Sequence, residues 1–218
     1  MTEHSLRQTY PASARTELQK FLPRDAKTFL DVGCGQGGFA ATIRAVSPKA
    51  FVSGIEILPE QAREAALVMD EIIIGQIPEI FDQLAGRSFD CIVLNDILEH
   101  LEDPWMTLRR TKEIVHSNTV IVASIPNVQF LPVSLNLLMR GNWDYTDYGI
   151  LDMTHLRFFT RKSIMELFAG SGFHMESIEG VNSLILDGRK ALLRPFLRAL
   201  GDRRWVQYAV VARPNPPD

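Results

Sequence analysis

The stretch Thr28–Ala40, TFLDVGCGQGGFA, decides how the chain reads. Phe29, Leu30 and Val32 form a short apolar run suited to a buried strand. Gly33 to Gly38 follow as a tight loop, and Phe39 to Val46 as a helix. A glycine-rich turn from strand to helix lets a ligand approach the backbone, because no Cβ stands in the way. The glycines alone fit two ligand classes. Gly33, Gly35 and Gly38 match the G-x-G-x-x-G of dinucleotide sites, while Gly33, Gly35 and Gly37 match the G-x-G-x-G of methyl-donor sites. Asp31 favours the second class: a pyrophosphate disfavours a nearby carboxylate, whereas a sulfonium and an amino group welcome one.

The segment LDVGCGQGG resembles motif I of class I S-adenosylmethionine (SAM)-dependent methyltransferases. That resemblance implies an α/β fold: a Rossmann-like, seven-stranded, mostly parallel sheet with an antiparallel last strand and helices on both faces. It also implies a substrate lid inserted after strand five, here residues 126–159. The expected organisation is one domain over 1–218, with an N-terminal cover helix within 1–25. SAM is then the expected cofactor and S-adenosylhomocysteine its product.

Composition sets wider bounds. A length of 218 residues suits one α/β domain with a full core. An apolar fraction of 46% and a mean hydropathy near zero indicate a globular protein. A formal net charge of −3 supplies no general basic field for nucleic acid. No stretch is long and apolar enough to span a membrane, and MTEHSLRQTY lacks a signal-peptide core. Cys34 and Cys91 read as reduced small residues, consistent with a cytoplasmic location.

Ser13 to Phe21 reads as a helix stopped by Pro23, with Tyr10 and Arg15 as candidates to face the site. Phe51 to Ile55 is the second strand, and Glu56 closes it, where an acid takes ribose hydroxyls in nucleotide-binding α/β units. Ile57 is a candidate adenine contact. Glu60 to Met69 reads as a helix and Glu71 to Gly75 as the third strand. Gly75, Gln76 and Ile77 fall where the resemblance implies an adenine-contacting loop, with Gln76 replacing the usual acid.

Phe89 to Leu94 is the fourth strand; it delivers Asn95, Asp96, Glu99 and His100 to the ligand end of the sheet. FDCIVLNDILEHLEDPW resembles the matching segment of small-molecule methyltransferases. It lacks the Asn/Asp-Pro-Pro-aromatic motif of enzymes acting on nucleobase amino groups. Asp96, Glu99 and His100, spaced i, i+3 and i+4, share one face if the segment turns helically. They are a weak candidate for a metal site: ubiquinone-pathway O-methyltransferases carry Glu-x-x-Glu-His here, but Asp96 shortens the reach. Pocket lining and a metal-independent base at His100 rank ahead of it.

Asp103 and Pro104 open a helix to about Val115, and Thr119 to Ser124 is the fifth strand. Phe130 to Phe159 carries Trp143, Tyr145, Tyr148, His155 and Phe158 among acidic residues, with a short helix over Leu135 to Arg140. Aromatic faces and carboxylates suit a polyhydroxyl ligand. GNWDYTDYGILDMTHLRFFT resembles methyltransferases found with glycosyltransferases of bacterial polysaccharide synthesis. The reading is O-methylation of a small-molecule hydroxyl, a sugar or saccharide intermediate. Trp143, Tyr145, Tyr148 and Arg157 are its substrate candidates, and His155 or His100 its base. The alternatives are an NAD-dependent oxidoreductase or epimerase and a non-catalytic SAM-binding partner module. Thr160 caps the next helix, His174 to Glu179 and Trp205 to Ala212 are the last strands, and Leu192 to Leu200 is an amphipathic helix that could support a homodimer.

Overall fold

The computed structural model describes residues 13–184 and 199–216. Tyr10 and nearly all of the Leu192–Leu200 helix lie outside the described residues. Seven strands run in chain order: β1 (Thr28–Val32), β2 (Phe51–Glu56), β3 (Glu71–Ile74), β4 (Phe89–Asn95), β5 (Val115–Pro126), β6 (Phe173–Ser183) and β7 (Trp205–Pro214). They form one sheet in the order β3-β2-β1-β4-β5-β7-β6. Pairs from β3 through β5 are parallel, and β7 runs antiparallel to both β5 and β6. The expected seven-stranded sheet with an antiparallel last strand is therefore present.

Strand alternation divides the core into two layers. Leu30, Val32, Ile92, Leu94, Ile121 and Ala123 face one cluster, which Leu167 and Phe168 complete. Phe29, Cys91, Val93 and Val122 face the other, which Leu18 and Ile43 complete. Both faces are buried, as covered parallel strands require. The covering helices are α1 (Ala40–Val46), α2 (Pro59–Ala65), α3 (Pro104–Thr111), α4 (Leu131–Arg140) and α5 (Arg161–Gly170). Asp103 caps α3 by accepting from the Met106 N–H, and Thr160 with Ser163 forms a capping box on α5.

Several boundaries differ from the sequence reading. The N-terminal segment is a 3₁₀ turn over Thr16–Phe21 rather than an α-helix from Ser13. Arg15 sits in the left-handed region at φ 45°, and its guanidinium is drawn inward to Asp96, which ends the helical path there. Helix α4 begins at Leu131 rather than Leu135, with a proline in its first turn. None of its residues is buried. Strands β6 and β7 are longer than expected because they pair with each other from Phe173 opposite Pro214 to Ser183 opposite Trp205, and β5 reaches Pro126 by pairing with β7 from Ile121 to Pro126.

The 127–160 segment is fastened where it leaves and rejoins the sheet. Buried Asn127 donates its side-chain amide to the Asp202 and Trp205 carbonyls, and Val128 N–H bonds the Phe159 carbonyl.

Candidate active site

The carboxyl ends of β1, β2, β4 and β5 open into a cavity of about 890 Å³. That is the size range of small-ligand pockets. Its first wall is the glycine loop. Gly33 and Cys34 N–H both bond the Ile55 carbonyl, at 2.9 and 3.0 Å, so β2 holds the turn in place. Gly33 has φ 75°, and a Cβ there would lie 2.8 Å from Ile97 Cδ1. Gly33, Gly35, Gln36 and Gly38 line the cavity. Gly37 does not: a Cβ on it would meet Val68 and the Ala65 backbone, so it serves the packing of the loop on α2.

Glu56 is buried and ties this wall together. Its Oε2 accepts the Gly35 N–H at 2.9 Å, and its Oε1 accepts those of Ile57 and Leu58 at 2.9 and 2.8 Å. A carboxylate has about four acceptor positions, which leaves one for an incoming hydroxyl. Ile57 and Gln76 line the same end. Asp31 lies beneath the loop, 3% exposed. Burial, and next to it the Glu56 carboxylate, pushes Asp31 up to about 7. Asn95 also lines the cavity, and its side-chain amide nitrogen and oxygen have no hydrogen-bond partner among the described residues.

The raised Asp31 carries a pH signature. The folded protein keeps a proton that the unfolded chain releases near the ordinary carboxyl value. Unfolding free energy should therefore fall as pH rises from about 4 to 7, by up to about 1.4 kcal/mol per pH unit from this group. Comparing urea denaturation of the wild type and Asp31→Asn across that range checks it. The substitution should flatten the slope, and an unchanged slope would contradict the assignment.

The second wall joins the turn after β4 to residues 147–156. Leu156 and Arg157 N–H both bond the Glu99 carbonyl, at 2.8 and 3.0 Å. The Glu99 side chain is 1% exposed, and neither carboxyl oxygen has a hydrogen-bond partner among the described residues. Burial pushes it up to about 8. His155 Nδ1 lies 3.0 Å from the Ile150 carbonyl, which fixes the proton on Nδ1. Its Nε2 faces Glu99 Oε1 at 4.0 Å. The His100 and His155 rings meet edge to face, with centroids 4.7 Å apart. Burial, then His155, pushes His100 down to about 4, and burial also lowers His155.

Asp96 does not join Glu99 and His100. It sits at φ 49°, not in a helical turn, and faces Arg15, with Ser124 Oγ donating to its Oδ1 at 2.9 Å. Arg15 also reaches Glu17 at 2.7 Å and Gln207 at 2.5 Å. The trio Asp96, Glu99 and His100 is therefore not assembled as a metal site. Glu99, His100 and His155 instead bring one potential ligand atom each within 4.8 Å of one another. Of the aromatic and basic candidates, Tyr148 lines the cavity. Trp143 and Tyr145 do not; they pack on Phe158, at 5.0 and 6.4 Å between centroids. Arg157 is turned to the Glu102 carbonyl. The sequence marks Asp152 only as one of the lid acids Asp144, Asp147 and Asp152, and gives no sign of Thr154 or Gln207; Asp152, Thr154 and Gln207 all line the cavity. The Asp-x-Thr pattern at 152–154 is a local-turn signal that could have marked the first two.

A family model described as "Methyltransferase domain" matches residues 5–178. The chain belongs to this methyltransferase domain family. Among curated relatives, it is 24% identical over 213 residues to an uncharacterized 37.1 kDa protein in transposon Tn4556 of Streptomyces fradiae, covering 85% of this methyltransferase-family chain and 58% of that protein. It is 29% identical over 140 residues to the ubiquinone biosynthesis O-methyltransferase of Histophilus somni, covering 56% and 58%. The chain thus spans less than two thirds of the length of these relatives. A crystal structure of a SAM-dependent methyltransferase from Archaeoglobus fulgidus superposes with a TM-score of 0.67 at 17% identity, covering 90% of this chain and 91% of the other. This likeness shows the class I methyltransferase fold.

Proposed function

We propose that this methyltransferase-family chain moves the methyl group of SAM to a hydroxyl of a small molecule, a sugar or saccharide intermediate. One observation carries the reading: the glycine loop, Asp31 and Glu56 converge at the carboxyl ends of β1 and β2 beside an 890 Å³ cavity. In this reading Glu56 takes a ribose hydroxyl, Ile57 and Gln76 flank the adenine, and Asp31 and Asn95 serve the cationic methionine end. A carboxyl held near neutrality by burial gains a cationic partner when the sulfonium arrives.

A hydroxyl acceptor must lose its proton as the oxygen attacks. His100 and His155, whose pKa values burial lowers, are the candidate bases on the acceptor side. Positioning supplies the rest by aligning oxygen, methyl carbon and sulfur. Asp147 and Tyr148 on that side suit hydroxyl-rich acceptors.

This reading assigns proton removal to the histidines and uses no cation. Methyl transfer should therefore proceed at an undiminished rate in excess EDTA. Loss of turnover restored by Mg²⁺ or Mn²⁺ would instead put a cation between Glu99, His100 and His155.

The functional test uses methyl-labelled SAM with extracts fractionated for saccharides. A labelled, base-stable sugar ether supports the reading. Tight SAM binding without transfer to any acceptor would favour a non-catalytic SAM-binding module.

A further inference from the structure

Asp152 and Thr154 are both buried, at 1% and 7% exposure, beside His100. Asp152 Oδ1 accepts the Thr154 backbone N–H at 2.8 Å and the Thr154 hydroxyl at 2.7 Å. That hydroxyl also lies 3.0 Å from His100 Nδ1. A hydroxyl has one proton to give. With that proton directed to the carboxylate, the Thr154 oxygen is left as an acceptor, and His100 Nδ1 must carry the hydrogen. The loop that holds the pair is itself braced: Met153 N–H bonds the Thr146 carbonyl at 3.0 Å, and His155 N–H bonds that of Asp152 at 3.0 Å.

We propose that Asp152 and Thr154 are positioning residues that fix His100 as the Nδ1–H tautomer and make its Nε2 the base for the acceptor hydroxyl. This rests on the methyl-transfer reading and narrows it to one histidine. His155 is set in the same tautomer, its Nδ1 donating to the Ile150 carbonyl, but its Nε2 faces the Glu99 carboxyl at 4.0 Å. In the step, the acceptor's proton passes to His100 Nε2 as its oxygen bonds the methyl carbon. The carbon–sulfur bond breaks with its electron pair passing to sulfur, which leaves a neutral thioether and an imidazolium. The charge of Asp152, relayed by the Thr154 hydroxyl, stabilises that imidazolium.

Two measurements test this. The first needs no acceptor: long-range ¹H–¹⁵N spectra of the histidine rings in the wild type, Thr154→Val and Thr154→Ser. The expected result is an Nδ1–H tautomer at His100 in the wild type and Thr154→Ser, and a changed tautomer balance in Thr154→Val. An Nε2–H tautomer in the wild type overturns the proposal, whether or not the chain transfers methyl groups. The second is turnover with a panel of labelled-methyl acceptors. Thr154→Val should lower kcat at least about 10-fold with the SAM dissociation constant unchanged, and Thr154→Ser should restore most of it. Equal kcat in wild type and Thr154→Val overturns the catalytic part. If no acceptor is methylated while the tautomers follow expectation, the methyl-transfer reading fails and the orientation of His100 stands.

Discussion

Glu56→Ala should weaken SAM binding about 100-fold, because one hydrogen bond from the ligand to a charged group contributes about 1.5–3 kcal/mol and the loop loses its three backbone anchors as well. The carboxylate does two jobs in this account. Its remaining acceptor position serves the ribose, and its three backbone bonds hold the start of the glycine loop against the end of β2. Removing it strands the Gly35, Ile57 and Leu58 N–H groups and lets the loop drift from the geometry that the ligand needs. Glu56→Gln separates the two roles. Its amide can keep one or two of those backbone bonds through its oxygen but loses the charge, so it should bind SAM better than the alanine variant and worse than the wild type. Titration calorimetry with a thermal melt on each variant is the check. A change below about 3-fold in Glu56→Ala, with the fold intact, would remove Glu56 from the ligand contacts.

His100→Ala should lower kcat by about 100- to 10,000-fold, the usual share of a general base, while the SAM dissociation constant stays within about 2-fold. The two effects part because His100 stands on the wall made by β4 and residues 147–156, away from the glycine loop and Glu56. Its neutral form already dominates at neutral pH, with the pKa held at about 4. Turnover should therefore be flat in this group from pH 6 upward, with any loss appearing only as pH falls toward 4 and the imidazole takes a proton. Single-turnover assays across that range test both statements. An alanine variant with near-normal turnover would leave catalysis to positioning alone.

Most of the sheet was legible, because it depends on local signals. The apolar runs FLDV, FDCIVL and VIVASI each alternate between two buried layers, and glycine, proline or an acid follows most of them. Asp31 and Glu56 were legible for the same reason: each has a defined position relative to a strand end. The acceptor wall was harder to read. Asp96 looked like a partner of Glu99 and His100 at helical spacing, but Arg15, 81 residues earlier, draws it away, and no local pattern encodes an ion pair of that range. Trp143 and Tyr145 looked like ligand platforms from composition alone. Their actual neighbour is Phe158, a choice made by the path of the 127–160 segment rather than by residue type. His155 lines the cavity, while Thr154, which contacts His100, was overlooked, because a Thr in a polar loop resembles an ordinary turn residue.

The most direct test of the central claim is a pair of calorimetric titrations of the unmodified chain, one with SAM and one with NAD⁺. The account predicts a saturable heat at one equivalent for SAM, lost in Glu56→Ala, and none for NAD⁺. Saturable binding of NAD⁺ with no heat from SAM would contradict it.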